Sequence, residues 1–308
     1  MRTTLFVSPS DIERETGLGK DQLRKWRQRY NFPPIESTAD GKAAYSRKTV
    51  DQLCLIKRLL EGGFRPSQVV GIPTADLEKL KLGLARSVPV VRRDEFTQTL
   101  IDVIKRADMT EFQVLLAERR AEGSLTDFIC ETVAPLLTNI GDAWKLNEIE
   151  IFHEHLCTCC TERYLQSEIM KLNQKTGLPV VLFALPPGEH HFMGLLMAEG
   201  VMAEQGARTI SIGSDIALNK LSLAAIACKV DVVSLSFSFA FPRREVIPTL
   251  RHFRHLLPIH IQIWAGGSGL AGIRKYPKGV RMFSHMNEVV AALNDAPVGS
   301  RALSRPCD

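Results

Sequence analysis

The sequence predicts a multidomain chain: an N-terminal winged helix-turn-helix, a central four-helix bundle and a C-terminal α/β Rossmann-like domain. Three observations predict it. Two short helical patterns joined by Gly17-Leu18-Gly19 open the chain, and a polar, Gly-containing segment follows them, the order of a winged helix-turn-helix. About four amphipathic helical segments then fill residues 94–174. From Leu178, short apolar runs alternate with helical patterns, which is the texture of a doubly wound parallel sheet. The boundaries fall at residues 1–85, 86–176 and 177–308, and a length of 308 suits two or three domains.

Composition narrows the function classes. A hydrophobic fraction of 45% and a charged fraction of 24% fit globular cores and exclude wholesale disorder. No apolar stretch approaches the ~20 residues of a membrane span, and Met1-Arg2-Thr3-Thr4-Leu5 is not followed by a signal core, so a cytoplasmic location is expected. Seven cysteines in such a chain read as reduced thiols. The net charge is +5, and residues 1–80 hold 14 Lys and Arg against ten Asp and Glu. Most of the excess therefore lies in the first quarter and points to phosphate-bearing partners.

Each element has a local cause. Ser8, Pro9 and Asp11 suit the cap, first and third positions of a helix that closes at Gly17. A second helix spans Lys20 to Tyr30, with Leu23, Trp26 and Tyr30 at helical spacing facing inward. Lys20, Arg24, Lys25, Arg27 and Arg29 then supply five cations against the single acid Asp21, and Asn31-Phe32-Pro33-Pro34 stops the helix. In a helix-turn-helix this second helix enters the major groove, where its cations neutralise phosphates. Glu36 to Ala44, with Gly41, reads as a wing, and a helix from about Val50 to Leu60 ends at Gly62-Gly63. The bland alternative is a small helical domain with a solvated basic face.

Ala85 to Arg93 reads as a linker. The bundle helices are expected at Phe96–Arg106, Met109–Ala121, Leu125–Leu146 and Ile149–Gln174. Strands are expected at Val180–Leu185, Thr209–Ile212, Val232–Leu235 and His260–Ala265, with a weaker one at Val280–Phe283 and a helix from His191 to Gln205. Ligands of such sheets bind at the carboxyl ends of the strands. Three polar or glycine-rich loops lie there: Glu189-His190-His191-Phe192-Met193-Gly194, Ser236-Phe237-Ser238 and Gly266-Gly267. Glu-x-His-x-x-Gly alone is a weak signal, since a loop histidine is ordinarily just exposed. His153, Cys157, Cys159 and Cys160 tempt a metal or thiol-sensor reading, but no second Cys/His cluster accompanies them, and small buried apolar residues explain them better.

Two resemblances sharpen these readings. Val7-Ser8-Pro9-Ser10-Asp11-Ile12, the run Leu23-Arg24-Lys25-Trp26-Arg27-Gln28-Arg29-Tyr30-Asn31-Phe32-Pro33, Tyr45-Ser46 and Gly62-Gly63-Phe64 resemble the MerR-type DNA-binding domain. The Leu-Arg-x-Trp-x-x-Arg-Tyr-x-Phe-Pro string is similar to the branch that regulates light-induced genes. The resemblance implies double-stranded operator DNA as partner, contacted by Lys20, Arg24, Lys25, Arg27, Arg29, Lys42 and Tyr45. That branch usually carries arginine just before Tyr-Ser; Ala43 and Ala44 stand here, which removes that phosphate contact.

Gly194 and Ser236 are separated by 41 residues, and Ser238 and Gly266 by 27. These spacings resemble the cobalamin-binding module of methyltransferases and mutases, with its acidic-x-His-x-x-Gly, Ser-x-Leu and Gly-Gly motifs; Ser238 replaces the common leucine. Trp144, nine residues, then Glu154-His155 resembles the cap motif of the CarH/LitR-type photoreceptors, MerR-type regulators that use adenosylcobalamin. The resemblance implies that His191 is the lower axial ligand of cobalt, a role neutral imidazole suits. Glu189 would hold its other ring nitrogen. Gly194, Ser236, Ser238, Gly266 and Gly267 would accommodate the displaced nucleotide tail, and Trp144 would roof the adenosyl group beside Glu154 and His155. His190 competes for the ligand role at the wrong spacing to Gly194.

The resemblance implies a light-responsive regulator, not an enzyme, bound to DNA as a tetramer in the dark and falling apart on illumination. A corrinoid-sensing regulator indifferent to light and a corrinoid methyl-carrier remain as alternatives, the basic N-terminal reader arguing against the carrier. One departure bears on the light product. The best-known family members place a histidine directly after the cap tryptophan, where it takes the vacated upper position on cobalt; Lys145 stands here. An amine ligates cobalt only when deprotonated, and lysine is ordinarily charged at neutral pH.

Overall fold

The computed structural model describes residues 6–8, 12, 16, 18–37, 43–87, 93–146, 148–172 and 176–295. The opening helix expected before Gly17 lies largely outside the described residues, as do Gly41 and Lys42 of the wing. The chain divides into two compact units, residues 1–101 with 138–154, and residues 102–137 with 155–308.

In the first unit, α1 (Lys20–Tyr30) covers the span the sequence predicts. Leu23 and Trp26 are buried on its inner face. It stops because Asn31 turns left-handed, φ 53°, and returns its N–H to the Arg27 carbonyl. The wing is a real hairpin: β2 (Glu36–Ser37) pairs antiparallel with β3 (Ala43–Ser46). The hydrophobic pattern does not reveal the two-residue β1 (Phe6–Val7), which pairs with the other edge of β3. Helix α2 (Arg47–Glu61) begins three residues before Val50, with Ser46 at its cap, and its Val50, Leu53, Ile56 and Leu59 fill the same core as Leu23 and Trp26. A short α3 (Pro66–Val69) and α4 (Thr74–Ser87) complete it. Helix α4 corrects the linker reading, since Ala85, Arg86 and Ser87 still belong to it. Alanine and arginine favour helix, so the helical pattern extends past Ala85.

The four helical segments of the middle appear as α5 (Glu95–Lys105), α6 (Met109–Ala121), a segment from Leu125 to Lys145, and a last helix from Ile151 to Leu172. The third is not one continuous α-helix as the sequence suggests. It comprises α7 (Leu125–Phe128), a π turn (Ile129–Val133) and α8 (Ala134–Lys145). A π turn adds a residue without breaking the apolar face, so periodicity passes over it. Glu204 caps α7 by accepting from the N–H groups of Leu125 and Thr126 at 2.5 and 2.7 Å. Arg120 of α6 reaches Glu168 of the last helix, α9 (Ile151–Leu172), at 3.1 Å with both side chains largely buried.

The C-terminal part is a five-stranded parallel sheet of β4 (Val180–Ala184), β5 (Arg208–Gly213), β6 (Val232–Ser236), β7 (Gln262–Gly266) and β8 (Val280–Met282). Its order is β5-β4-β6-β7-β8. Alternate residues of each central strand enter opposite cores. Leu182, Leu235 and Ile263 meet α11 (Leu218–Ala227) and α12 (Arg243–Leu256) on one face. Phe183, Val232 and Trp264 meet α10 (Met193–Glu204) and α13 (Met286–Asp295) on the other. Burial on both faces is why these strands read as unbroken apolar runs. The winged helix-turn-helix, helical middle and Rossmann-like sheet expected from sequence are all present. Helix α10 starts at Met193, so His191 stands on the loop before it and not within it.

Candidate functional site

Two surfaces gather the residues singled out by sequence. On α1, Lys20, Arg24, Lys25 and Arg29 are exposed, as a phosphate-contacting face requires. Arg24 pairs at the surface with Asp21 at 3.1 Å, which holds it weakly. Arg27 is engaged differently. Its Nη2 donates to the Tyr45 hydroxyl at 2.7 Å and its Nε to the Pro33 carbonyl at 3.3 Å, and Tyr45 is 3% exposed. The structure thus turns Arg27 and Tyr45 toward each other, tying the second helix to the wing. Arg24→Ala should therefore flatten the salt dependence of DNA binding, lowering the log–log slope by ~0.9, with little loss of stability. Arg27→Ala should in addition lower the reader's melting temperature by several degrees, because the wing loses a bond to a charged donor. Equal stability of the two variants would contradict this division of labour.

The second surface lies at the sheet. The chain leaves β4 and β6 in opposite directions, so their carboxyl ends border the crevice where an open α/β sheet takes its ligand. The loop after β4 brings Glu189 and His191; the loop after β6 brings Ser238. Glu189 is 1% exposed. Its Oε1 accepts from the His190 N–H at 2.9 Å, the His191 N–H at 2.8 Å and His191 Nδ1 at 2.8 Å. Its Oε2 accepts from the Ser238 N–H at 2.8 Å. Burial pushes this carboxyl up, but the bonds from His191 and Ser238 outweigh it and hold the pKa at about 2. Glu189 is therefore an ionised clamp across two loops. It orients an imidazole whose side chain is 52% exposed and engages its Nδ1, so Nε2 is the ring nitrogen that could hold a metal. Ser238, the departure from the usual leucine, adds a hydroxyl 3.1 Å from the same Nδ1. Exposed His190 contributes its backbone to the clamp.

The remaining loop residues divide into two kinds. A Cβ on Gly194 would come 3.3 Å from the buried Ser236 hydroxyl, so glycine lets these two motifs close on one another. Gly266 faces open space except for one carbonyl at 3.8 Å, as room for a ligand demands. Gly267 is required by the protein itself: φ is +105°, and a Cβ would lie 2.3 Å from the Phe237 carbonyl oxygen. Sequence reasoning missed Phe239, which is 65% exposed with its ring 5.8 Å from that of His191. The available signal was the alternation of Phe237, Phe239 and Phe241, whose outer members are buried against each other.

Trp144 and Glu154 belong to the first compact unit, and His155 and the sheet loops to the second. Trp144, at the end of α8, is 5% exposed, yet its Nε1 is buried without a hydrogen-bond partner among the described residues. Glu154 is half-buried and His155 exposed in the first turns of α9. Sequence reasoning also missed Arg58, whose guanidinium lies over the Trp144 ring. Among the described residues, no group of three or more His, Cys, Asp or Glu side chains is placed to hold a metal ion by itself. None of their helices is long and apolar enough to cross a membrane.

Residues 7–73 match the MerR HTH family regulatory protein, and residues 97–166 match the B12 binding domain. The chain thus joins a MerR-type helix-turn-helix to a B12-binding-type domain. It is 28% identical over 295 residues to the HTH-type transcriptional repressor CarA of Myxococcus xanthus, covering 92% of this chain and 94% of that one. It is 25% identical over 256 residues to the HTH-type transcriptional repressor CarH of the same organism, covering 82% and 85%. Among solved structures, the Methanosarcina barkeri monomethylamine corrinoid protein shares its fold, with a TM-score of 0.51 and 16% identity over 65% of this chain and 98% of that one.

Proposed function

We propose that this protein is a cobalamin-dependent transcriptional regulator that uses adenosylcobalamin as a light-sensing chromophore. It binds operator DNA in the dark as a homotetramer and falls into smaller units on illumination. Residues 1–85 read the DNA, residues 86–176 cap the cofactor and residues 177–308 carry it. The observation that carries the reading is the Glu189 clamp, an ionised buried carboxylate that presents a half-exposed imidazole at the ligand crevice of a parallel sheet. The repressor names of the Myxococcus relatives, matched over most of the chain, support repression as the mode of regulation.

The residues present fit such a cofactor. His191 would offer an imidazole nitrogen to the cobalt, and a Cβ at Gly266 would meet only the Phe283 carbonyl at 3.8 Å, which leaves room for a ligand there. At Trp144 a buried N–H has no acceptor among the described residues, and a bound nucleoside edge would supply one. When bound, adenosylcobalamin contributes a cobalt–carbon bond that light breaks. The chain's own part is to hold and to report. Glu189 holds the His191 ring through Nδ1; Gly194, Ser236, Ser238, Gly266 and Gly267 would receive the nucleotide tail, and Trp144, Glu154 and His155 would contact the adenosyl group.

The test is the absorption spectrum and sedimentation of dark-purified protein with adenosylcobalamin, before and after green light. Binding with a light-dependent spectrum and a fall in mass is expected. Binding without any change in assembly after complete photolysis would leave a regulator indifferent to light, and no binding would remove the cofactor reading. In the light product, Lys145 is not expected as the upper ligand. Its Nζ donates to Asp142 Oδ1 at 2.9 Å, a bond it would have to give up to reach cobalt. Water, His153 or His155 is expected there instead. A crystal structure of the illuminated protein with the Lys145 nitrogen bonded to cobalt would refute this.

A further inference from the structure

The first hundred residues and the Trp144 segment belong to one compact unit, joined by two largely buried arginines. Arg58 stands on α2, and its guanidinium carbon lies 5.3 Å from the centroid of the Trp144 ring. The same guanidinium reaches Glu150 at 3.4 Å; 12% of the Arg58 side chain is exposed, against 61% of Glu150. A second arm repeats the pattern, since Arg93, also 12% exposed, reaches Glu148 at 2.6 Å. Lys81 of α4 sits close enough that burial and the Arg58 charge lower its pKa, against opposing pulls from Glu78 and Glu150.

Burying guanidinium groups is costly unless each finds partners, so a passive tether between reader and bundle would not be built this way. A planar guanidinium stacks on an aromatic face while pairing sideways with a carboxylate, which a lysine cannot imitate. The stack also holds the plane of the indole whose N–H has no acceptor among the described residues. On α2, Arg58 lies between Ile56 and Leu59, both fully buried in the core of the DNA reader. A displacement of the indole is thereby passed to a rigid element of the reader.

We infer that Arg58 is a positioning residue for Trp144, and that the Arg58–Trp144 stack transmits the state of the bound cofactor to the DNA-reading domain. This rests on the proposed reading of Trp144 as part of the cofactor site. By linkage, the contact must then act both ways: what it does for cofactor selectivity it does for DNA affinity.

The test uses the full chain labelled with 5-fluorotryptophan, whose Trp144 resonance is assigned by its loss in Trp144→Phe. In Arg58→Gln, the Trp144 resonance should move or broaden while those of Trp26 and Trp264 stay. The preference for adenosylcobalamin over methylcobalamin in the dark should fall at least about fivefold, a coupling of ordinary size. Arg58→Lys, which keeps charge but not the plane, should recover less than half of that preference. The double variant with Trp144→Phe should be no worse than Trp144→Phe alone. The ratio of DNA affinities with and without adenosylcobalamin, on a duplex selected from random sequence by the full chain, should fall toward one. An unmoved Trp144 resonance and unchanged preference in Arg58→Gln, with the preference lost in Trp144→Phe, would overturn the inference. Retention of the preference in Trp144→Phe would instead remove the cap reading, and this inference with it. If Arg58→Gln unfolds the reader, seen at the Trp26 resonance, Glu150→Gln breaks the same cluster from its exposed side. It should shift both readouts in the same direction, and no shift there is equally fatal.

Discussion

His191→Ala is expected to weaken cobalamin binding by roughly 100-fold or more, or to leave a bound form whose spectrum lacks the lower imidazole. His190→Ala is expected to change affinity by less than about twofold. The contrast stems from the clamp. Both histidines donate their backbone N–H to Glu189, and that contribution survives either substitution. Only His191 also directs its ring at the carboxylate, through Nδ1 at 2.8 Å, with the Ser238 hydroxyl 3.1 Å from the same nitrogen. Losing even a residue that orients a metal ligand typically costs ten- to a hundredfold, and losing the ligand itself costs at least the upper end of that. Titration of apo protein with adenosylcobalamin in the dark measures both. Wild-type spectra in both variants would end the assignment of His191.

Glu189→Ala should be the most damaging single change in the sheet domain, because it acts on stability and on binding together. It leaves the backbone N–H groups of His190, His191 and Ser238 without their acceptor, at an expected cost of about 3 kcal/mol in urea unfolding. Cobalamin affinity should fall about ten- to a hundredfold as the imidazole loses its orientation. The pH dependence carries a sign. The carboxyl is held at about 2 in the folded state, below its ordinary 4.5, so the charged form is the one the fold favours. Its contribution is fully present above pH about 4.5 and is lost as pH falls through 2. For a side chain only 1% exposed this is on the order of 3 kcal/mol. Wild-type stability should therefore fall faster than that of Glu189→Ala as the solution is acidified from about pH 5 to pH 2. Parallel acid curves would show that the clamp is not ionised.

Much of this molecule is legible in its sequence because the signals are local. Helix α1 can be bounded to the residue, since the Leu23–Trp26 spacing and the Asn31-Phe32-Pro33 stop lie within one short stretch. The strands of the sheet are buried on both faces, so each announces itself as an apolar run. The π turn at Ile129–Val133 and the two-residue β1 are not legible: the first preserves the apolar periodicity, and the second is too short to have any. The linker reading at Ala85 fails for a related reason, as good helix formers continue α4 until the chain nears a proline.

By itself, the sequence determined the order of the three parts and the identity of the loop residues at the strand ends. Capping, periodicity and motif spacing depend on residues a few positions apart, and these physical preferences act before the chain has folded. Only the tertiary structure decided which groups meet. Strand order placed the loops after β4 and β6 side by side, so that Glu189 could bond Ser238 across 49 residues of sequence. It turned Arg27 toward Tyr45, and it set Arg58 over Trp144. These contacts join groups distant in sequence, and their strength comes from burial that exists only once the cores have formed.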